Sequence, residues 1–142
     1  MDKNLVAKSS ITINVPVSKV WDALVNPQII KQYMFGTEAV SDWKEGSSIV
    51  FQGVWEGKKY EDKGKILKIE SEKTLQYSHF SPLSGAADVP ENYHIVTFEL
   101  AADGDGTQLF LTQDNNATDQ EREHSEKMWE TMLGSLKKLL EE

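Results

Sequence analysis

Cysteine is absent from this chain of 142 residues. Disulfides, thiolate catalysis and cysteine-ligated zinc are thereby excluded, and a reducing cytoplasm is the localisation expected. Positive charge is scarce: 15 Lys and Arg stand against 23 Asp and Glu, for a net charge of −8. The basic residues never gather into a stripe with interleaved aromatics, and the acidic surface repels phosphate backbones and anionic headgroups. Nucleic-acid and anionic-membrane partners are therefore not expected; the charge serves solubility. No apolar run approaches the roughly 18 residues of a transmembrane helix, so no membrane insertion is expected. The opening MDKNLVAKSS lacks the basic start, apolar stretch and cleavage site of a signal peptide. A nucleophile elbow and a phosphate loop are missing too, and Gly104-x-Gly106 belongs to a hairpin.

What is present is an ordinary globular composition, 39% apolar and 27% charged, in a length that suits one domain and one core over residues 1–142. Leu5 to Val15 has the β-branched content of an edge or half-buried strand, which Pro16 ends. VSKVWDALVNP reads as a short helix with Ser18 as N-cap and an apolar stripe of Val20, Trp21, Leu24 and Val25. Asn26-Pro27 breaks it and opens a second short helix, PQIIKQYM. Strands then follow one another: TEAVSDW, SSIVFQGVW, KYEDKGKILKIE, TLQYSHF, NYHIVTFELA and TQLFLTQD. Hairpin-type turns at Lys44–Gly46, Glu56-Gly57 and Asp103–Gly106 separate them, so an antiparallel meander of about seven strands is predicted. Thr118 and Glu121 have capping-box spacing ahead of a long terminal helix. Its residues Met128, Trp129, Met132, Leu133, Leu136, Leu139 and Leu140 recur at three- and four-residue steps, a face that only the concave side of the sheet can bury.

Strand alternation supplies the inward positions. They are Ile49, Phe51, Gly53 and Trp55; Leu75, Tyr77 and His79; His94, Val96, Phe98 and Leu100; and Leu109, Leu111 and Gln113. A four-residue loop at Asp103–Gly106 pairs Phe98 with Leu111, Val96 with Gln113, and His94 with Asn115. Setting Phe98 opposite Leu75 then brings His94 beside His79. The core thus grades from an apolar row, through Tyr77, Val96 and Gln113, to a row of His79, His94 and Asn115. Buried polar groups need hydrogen-bond partners, water or a ligand.

Two readings of those histidines stand side by side. Strand-end histidines are often half-exposed and satisfied by water and backbone, whereas an inward cluster suits the polar end of a ligand pocket. A metal site lacks a third ligand at a telling spacing. Catalysis by His79 or His94 as general base ranks behind binding, because no oriented carboxylate partner is evident. His124 reads as a helix-flank residue, and the abundant carboxylates as solvated surface.

Four stretches carry a family resemblance: ITINVPVSKVWDALVNPQIIKQYMFG, GVWEGKKYEDKGKILKIESEKTLQYSHFS, ENYHIVTFELAADGDGTQLFLTQDN and MWETMLGSLKKLLE. Together they resemble the START-like (SRPBCC, Bet v allergen-type) superfamily, and more narrowly the homologues of the activator of heat-shock-protein-90 ATPase. The resemblance implies an α+β helix-grip fold, a curved antiparallel sheet wrapped around the C-terminal helix, with a cavity between them for a small apolar or amphipathic molecule. Trp55, Tyr77, His79, His94, Phe98, Gln113, Met128, Trp129 and Met132 are the lining expected, with Tyr33, Met34 and Phe35 at the entrance. Relatives often carry tryptophan at Tyr33 and glycine at Met128, where methionine fills volume. The resemblance also raises a heat-shock ATPase as an alternative, protein partner. Neither a catalytic residue nor a cofactor nor a metal is expected, and the chain is expected to be a monomer or weak homodimer.

Overall fold

The computed structural model of the chain describes residues 5–55, 57–81, 87–116 and 118–141, with the side chain of Trp55 outside the described part. Seven strands form one curved antiparallel sheet: β1 Leu5–Ile13, β2 Glu38–Ser41, β3 Ser48–Trp55, β4 Lys58–Glu70, β5 Thr74–His79, β6 His94–Asp103 and β7 Gly106–Asn116. Their spatial order, β1-β7-β6-β5-β4-β3-β2, is a meander closed by the return of β1 to pair with β7. The helices α1 (Val17–Val25) and α2 (Pro27–Tyr33) follow β1, and α3 (Asp119–Glu141) ends the chain.

Local chemistry accounts for most of the boundaries. Asn26 closes α1 and caps α2, its Oδ1 accepting from the Gln28 amide at 3.0 Å, while Pro27 occupies a first-turn position where no amide hydrogen is needed. Thr118 Oγ1 accepts from the Glu121 amide at 3.1 Å, so the predicted cap of α3 forms. The cap of α1 does not: Pro16 precedes the first helical residue Val17, no side chain caps that end, and Ser18 lies inside the helix. Proline's fixed φ starts this helix two residues sooner than serine chemistry suggested.

The β6–β7 register matches the expectation, with Leu100 facing Leu109, Phe98 facing Leu111 and Val96 facing Gln113. In β5–β6, Leu75 faces Phe98, Tyr77 faces Val96 and His79 faces His94. One glycine is required for a close approach. A Cβ on Gly64 would lie 1.6 Å from the Ser78 carbonyl oxygen, so only glycine lets β4 bend against β5 there.

Helix α3 buries Ser125, Trp129, Met132, Leu133 and Leu136. It runs chiefly along β1. There its side chains take up main-chain groups on the unpaired side of the strand. Glu126 Oε2 accepts from the Lys8 amide at 3.0 Å, Glu141 Oε2 accepts from the Asn14 amide at 2.8 Å, and Lys137 Nζ donates to the Thr12 carbonyl at 2.8 Å. The apolar face of α3 meets Ile13, Leu109, Leu111, Val96 and Phe98 in one core shared with α1 and α2. Each fully buried leucine there contributes about 1.5–3 kcal/mol. Among the described residues no helix is long and apolar enough to cross a membrane.

Candidate functional site

The inner face of the sheet turns polar between β4 and β6. In the β3–β4 hairpin Phe51 faces Asp62, and Gly53 faces Tyr60. Cross-strand partners share a face, so the buried Phe51 places Asp62 on the core side. Asp62 there meets His79 from β5, with Oδ2 3.1 Å from Nε2. A carboxylate only accepts, so the imidazole donates through Nε2. The pair is largely shielded, the side chains of His79 and Asp62 being 24% and 19% exposed. Phe51 packs against it, its ring centroid 6.1 Å from His79 and 5.5 Å from Tyr77. Burial pushes the Tyr77 phenol far above its usual range, and the nearby charge of Asp62 adds to that. The expectation that no oriented carboxylate lies near these histidines is thereby corrected for His79. A cross-strand aspartate is its partner.

The remaining predicted residues lie in different places. Gln113 and Trp129 meet, with the indole Nε1–H donating to Gln113 Oε1 at 2.7 Å, and Phe98 lies edge-on to Trp129 at 5.9 Å. Tyr33, Met34, Tyr77, Phe98 and Met132 line one small space together with Leu24, Ile30, Trp43, Ile49, Phe51 and Leu75. His94 is half-buried and turned to backbone, its Nδ1–H donating to the Asp114 carbonyl at 2.8 Å. One expected lining residue, Met128, is not inside, and Phe35, expected at the entrance, lies on the surface. Met128 is 50% exposed and Phe35 is 69% exposed. Met128 sits one position before Trp129, about 100° around the helix, and the buried stripe continues instead through Ser125. Phe35 has φ 56°, and this left-handed turn after α2 carries its ring outward. Trp55 belongs to β3, and its side chain lies outside the described part.

Asn115 is not in the inner row either. Its φ of 56° reverses the alternation of β7, so its side chain faces outward and donates to the Glu91 and Tyr93 carbonyls. Asn116 turns inward in its place and accepts from Ser125 Oγ at 3.2 Å.

The space between α2, the sheet and α3 amounts to about 20 Å³, close to what one water needs. A broader, open concavity of about 1150 Å³ lies on the opposite face of the sheet, and none of the predicted site residues lines it. Several of its polar groups are engaged with one another, Lys63 and the Tyr93 hydroxyl with Asp88, and Asp114 Oδ1 with the Ile95 amide. Among the described residues no three histidine, aspartate or glutamate side chains group in a way that could hold a metal ion.

Residues 14–141 match the family described as Activator of Hsp90 ATPase homolog 1-like protein. The chain belongs to that family. Its fold is shared by the solution structure of a Cytophaga hutchinsonii protein that is 60% identical, with a TM-score of 0.88 over 99% of this chain and 97% of that one. A Mesorhizobium loti protein, 24% identical over 96% of each chain, has a TM-score of 0.77. The Aha1 dimer from Colwellia psychrerythraea is 22% identical, covers 93% of this chain and 92% of its own, and has a TM-score of 0.71. No curated protein matches the sequence.

For a member of the Hsp90 ATPase activator homologue family, the group that sequence reasoning missed is Asp62. The signal was there: with Ile49, Phe51, Gly53 and Trp55 inward, a hairpin closed at Glu56-Gly57 sends Gly64, Asp62, Tyr60 and Lys58 to the same face.

Proposed function

We propose that this chain binds a small apolar or amphipathic molecule between the sheet and α3, without catalysing a reaction on it. The apolar body lies among Phe51, Tyr77, Phe98 and Met132, and the polar end reaches Tyr77, His79 and Asp62. One observation carries the reading: a carboxylate–imidazole pair is set into the core side of the sheet beside Phe51 and Tyr77, where packing alone favours apolar residues. A space of about 20 Å³ holds no such molecule as it stands, so binding works by displacement. Met34 and Met132 line that space, and methionine is the side chain best able to swing aside.

The test is a methyl and amide NMR titration of labelled protein with fatty alcohols, fatty amines, fatty acids and aromatic metabolites. Binding shifts the Met34 and Met132 methyls together with Tyr77 and Phe98. A panel that leaves all four unmoved at about 1 mM, a free energy near −4 kcal/mol, overturns the proposal.

A further inference from the structure

The polar side chains on the core side of the fold are not equally satisfied. The Tyr33 hydroxyl donates to the Ala23 carbonyl, the Tyr60 hydroxyl bonds Thr37 Oγ1, Gln113 Oε1 holds the Trp129 indole, and His94 Nδ1 holds the Asp114 carbonyl. Asp62 differs. Its Oδ2 accepts the hydrogen bond of His79 Nε2–H, while Oδ1 is buried and, among the described residues, has no hydrogen-bond partner. A buried carboxylate oxygen without a donor is expensive, and a carboxylate accepts from donors only. Phe51 stands opposite Asp62 across the hairpin and packs on Tyr77, so the surface around the carboxylate is largely aromatic.

We infer that the polar head of the bound molecule is a hydrogen-bond donor, a hydroxyl or an amine, seated on Asp62 Oδ1. The inference rests on the receptor reading above and narrows it. A carboxylate head is rejected, because it would bring a second negative charge against Asp62 with no proton to offer. The ligand class is thus alcohols, phenols and amines with a compact apolar body, and fatty acids are excluded.

Four octyl probes separate the possibilities: octan-1-ol, octylamine, methyl octyl ether and octanoate, titrated by NMR into the wild-type protein and Asp62→Asn. In the wild type, octan-1-ol and octylamine bind at least about tenfold more tightly than the ether, and octanoate binds weakest. In Asp62→Asn octylamine loses its advantage, octanoate gains, and the ether is unchanged. An ether that equals the alcohol and amine, with no change in Asp62→Asn, means that Oδ1 is served by water alone; the donor inference then fails and the receptor reading survives. Absence of binding by all four sinks both. Should Asp62→Asn unfold, the order of the four probes on the wild type decides alone.

Discussion

Removing the indole of Trp129 tests the packing of α3 and the buried Trp129–Gln113 contact together. Trp129 is 5% exposed, edge-on to Phe98, and its N–H is the donor to the buried Gln113 Oε1. Truncation to alanine forfeits a core aromatic, about 3–5 kcal/mol, and strands the Gln113 oxygen, about 1–3 kcal/mol more. Against a total stability of about 5–15 kcal/mol, Trp129→Ala thus leaves a marginal fold. Trp129→Phe keeps most of the ring but still strands Gln113, and Gln113→Leu strands the indole N–H. Combining the last two removes both orphans at once. The double variant is expected to be more stable than the sum of the single losses predicts, by about 1 kcal/mol or more. Urea denaturation followed by far-ultraviolet circular dichroism reads all four variants without relying on tryptophan fluorescence. Strict additivity would refute the contact, and a loss below about 1 kcal/mol for Trp129→Ala would mean that α3 packs by another face.

Two glycines have opposite expected responses to alanine. At Gly64 the new Cβ would meet the Ser78 carbonyl at 1.6 Å, a backbone atom that cannot step aside, so Gly64→Ala loses at least about 2–3 kcal/mol. At Gly134, inside α3 with nothing within 4 Å, alanine gains about 1 kcal/mol; equal midpoints for the two variants would contradict the close approach of β4 to β5. The third prediction concerns acid. Lys137 first, then the Asn14 amide, hold the Glu141 carboxyl below its ordinary range. A depressed carboxylate contributes in full above its unfolded pKa and loses that contribution as pH falls through the folded one. The Asn14 amide resonance therefore titrates with a midpoint below that of an unperturbed glutamate, and Glu141→Gln abolishes the transition. A wild-type midpoint at or above that value would refute the linkage.

Period and turn chemistry made the architecture legible. Alternation in TLQYSHF and NYHIVTFEL, together with the Asp103–Gly106 turn, placed His79 opposite His94 and Val96 opposite Gln113, because pairing arithmetic along a hairpin leaves little freedom. The arithmetic failed where the backbone leaves the regular strand or helix. Asn115 adopts a left-handed conformation, which period counting does not see, and it sends its side chain to the side opposite the one expected. Met128 failed for another reason. A methionine next to a buried tryptophan looks apolar enough for the core, whereas the actual stripe admits Ser125, whose hydroxyl is satisfied by Asn116. Asp62 was overlooked because the surrounding EDKGK reads as a solvated charge run, and hydropathy outweighed register. How little space the side chains leave between sheet and helix is a matter of three-dimensional packing, and no one-dimensional pattern contains it.

The bonds from Glu126, Lys137 and Glu141 to β1 have a consequence for self-association. A β-layer of this kind has two flanks where a foreign chain can dock by main-chain pairing. One is sealed by the chain's own terminal helix, whose carboxylates and ammonium stand in for the missing neighbour. The other, β2, is four residues long and offers little purchase. Clipping the last turn of α3 would remove the Glu141 bond to the Asn14 amide and begin to open the longer flank to such pairing.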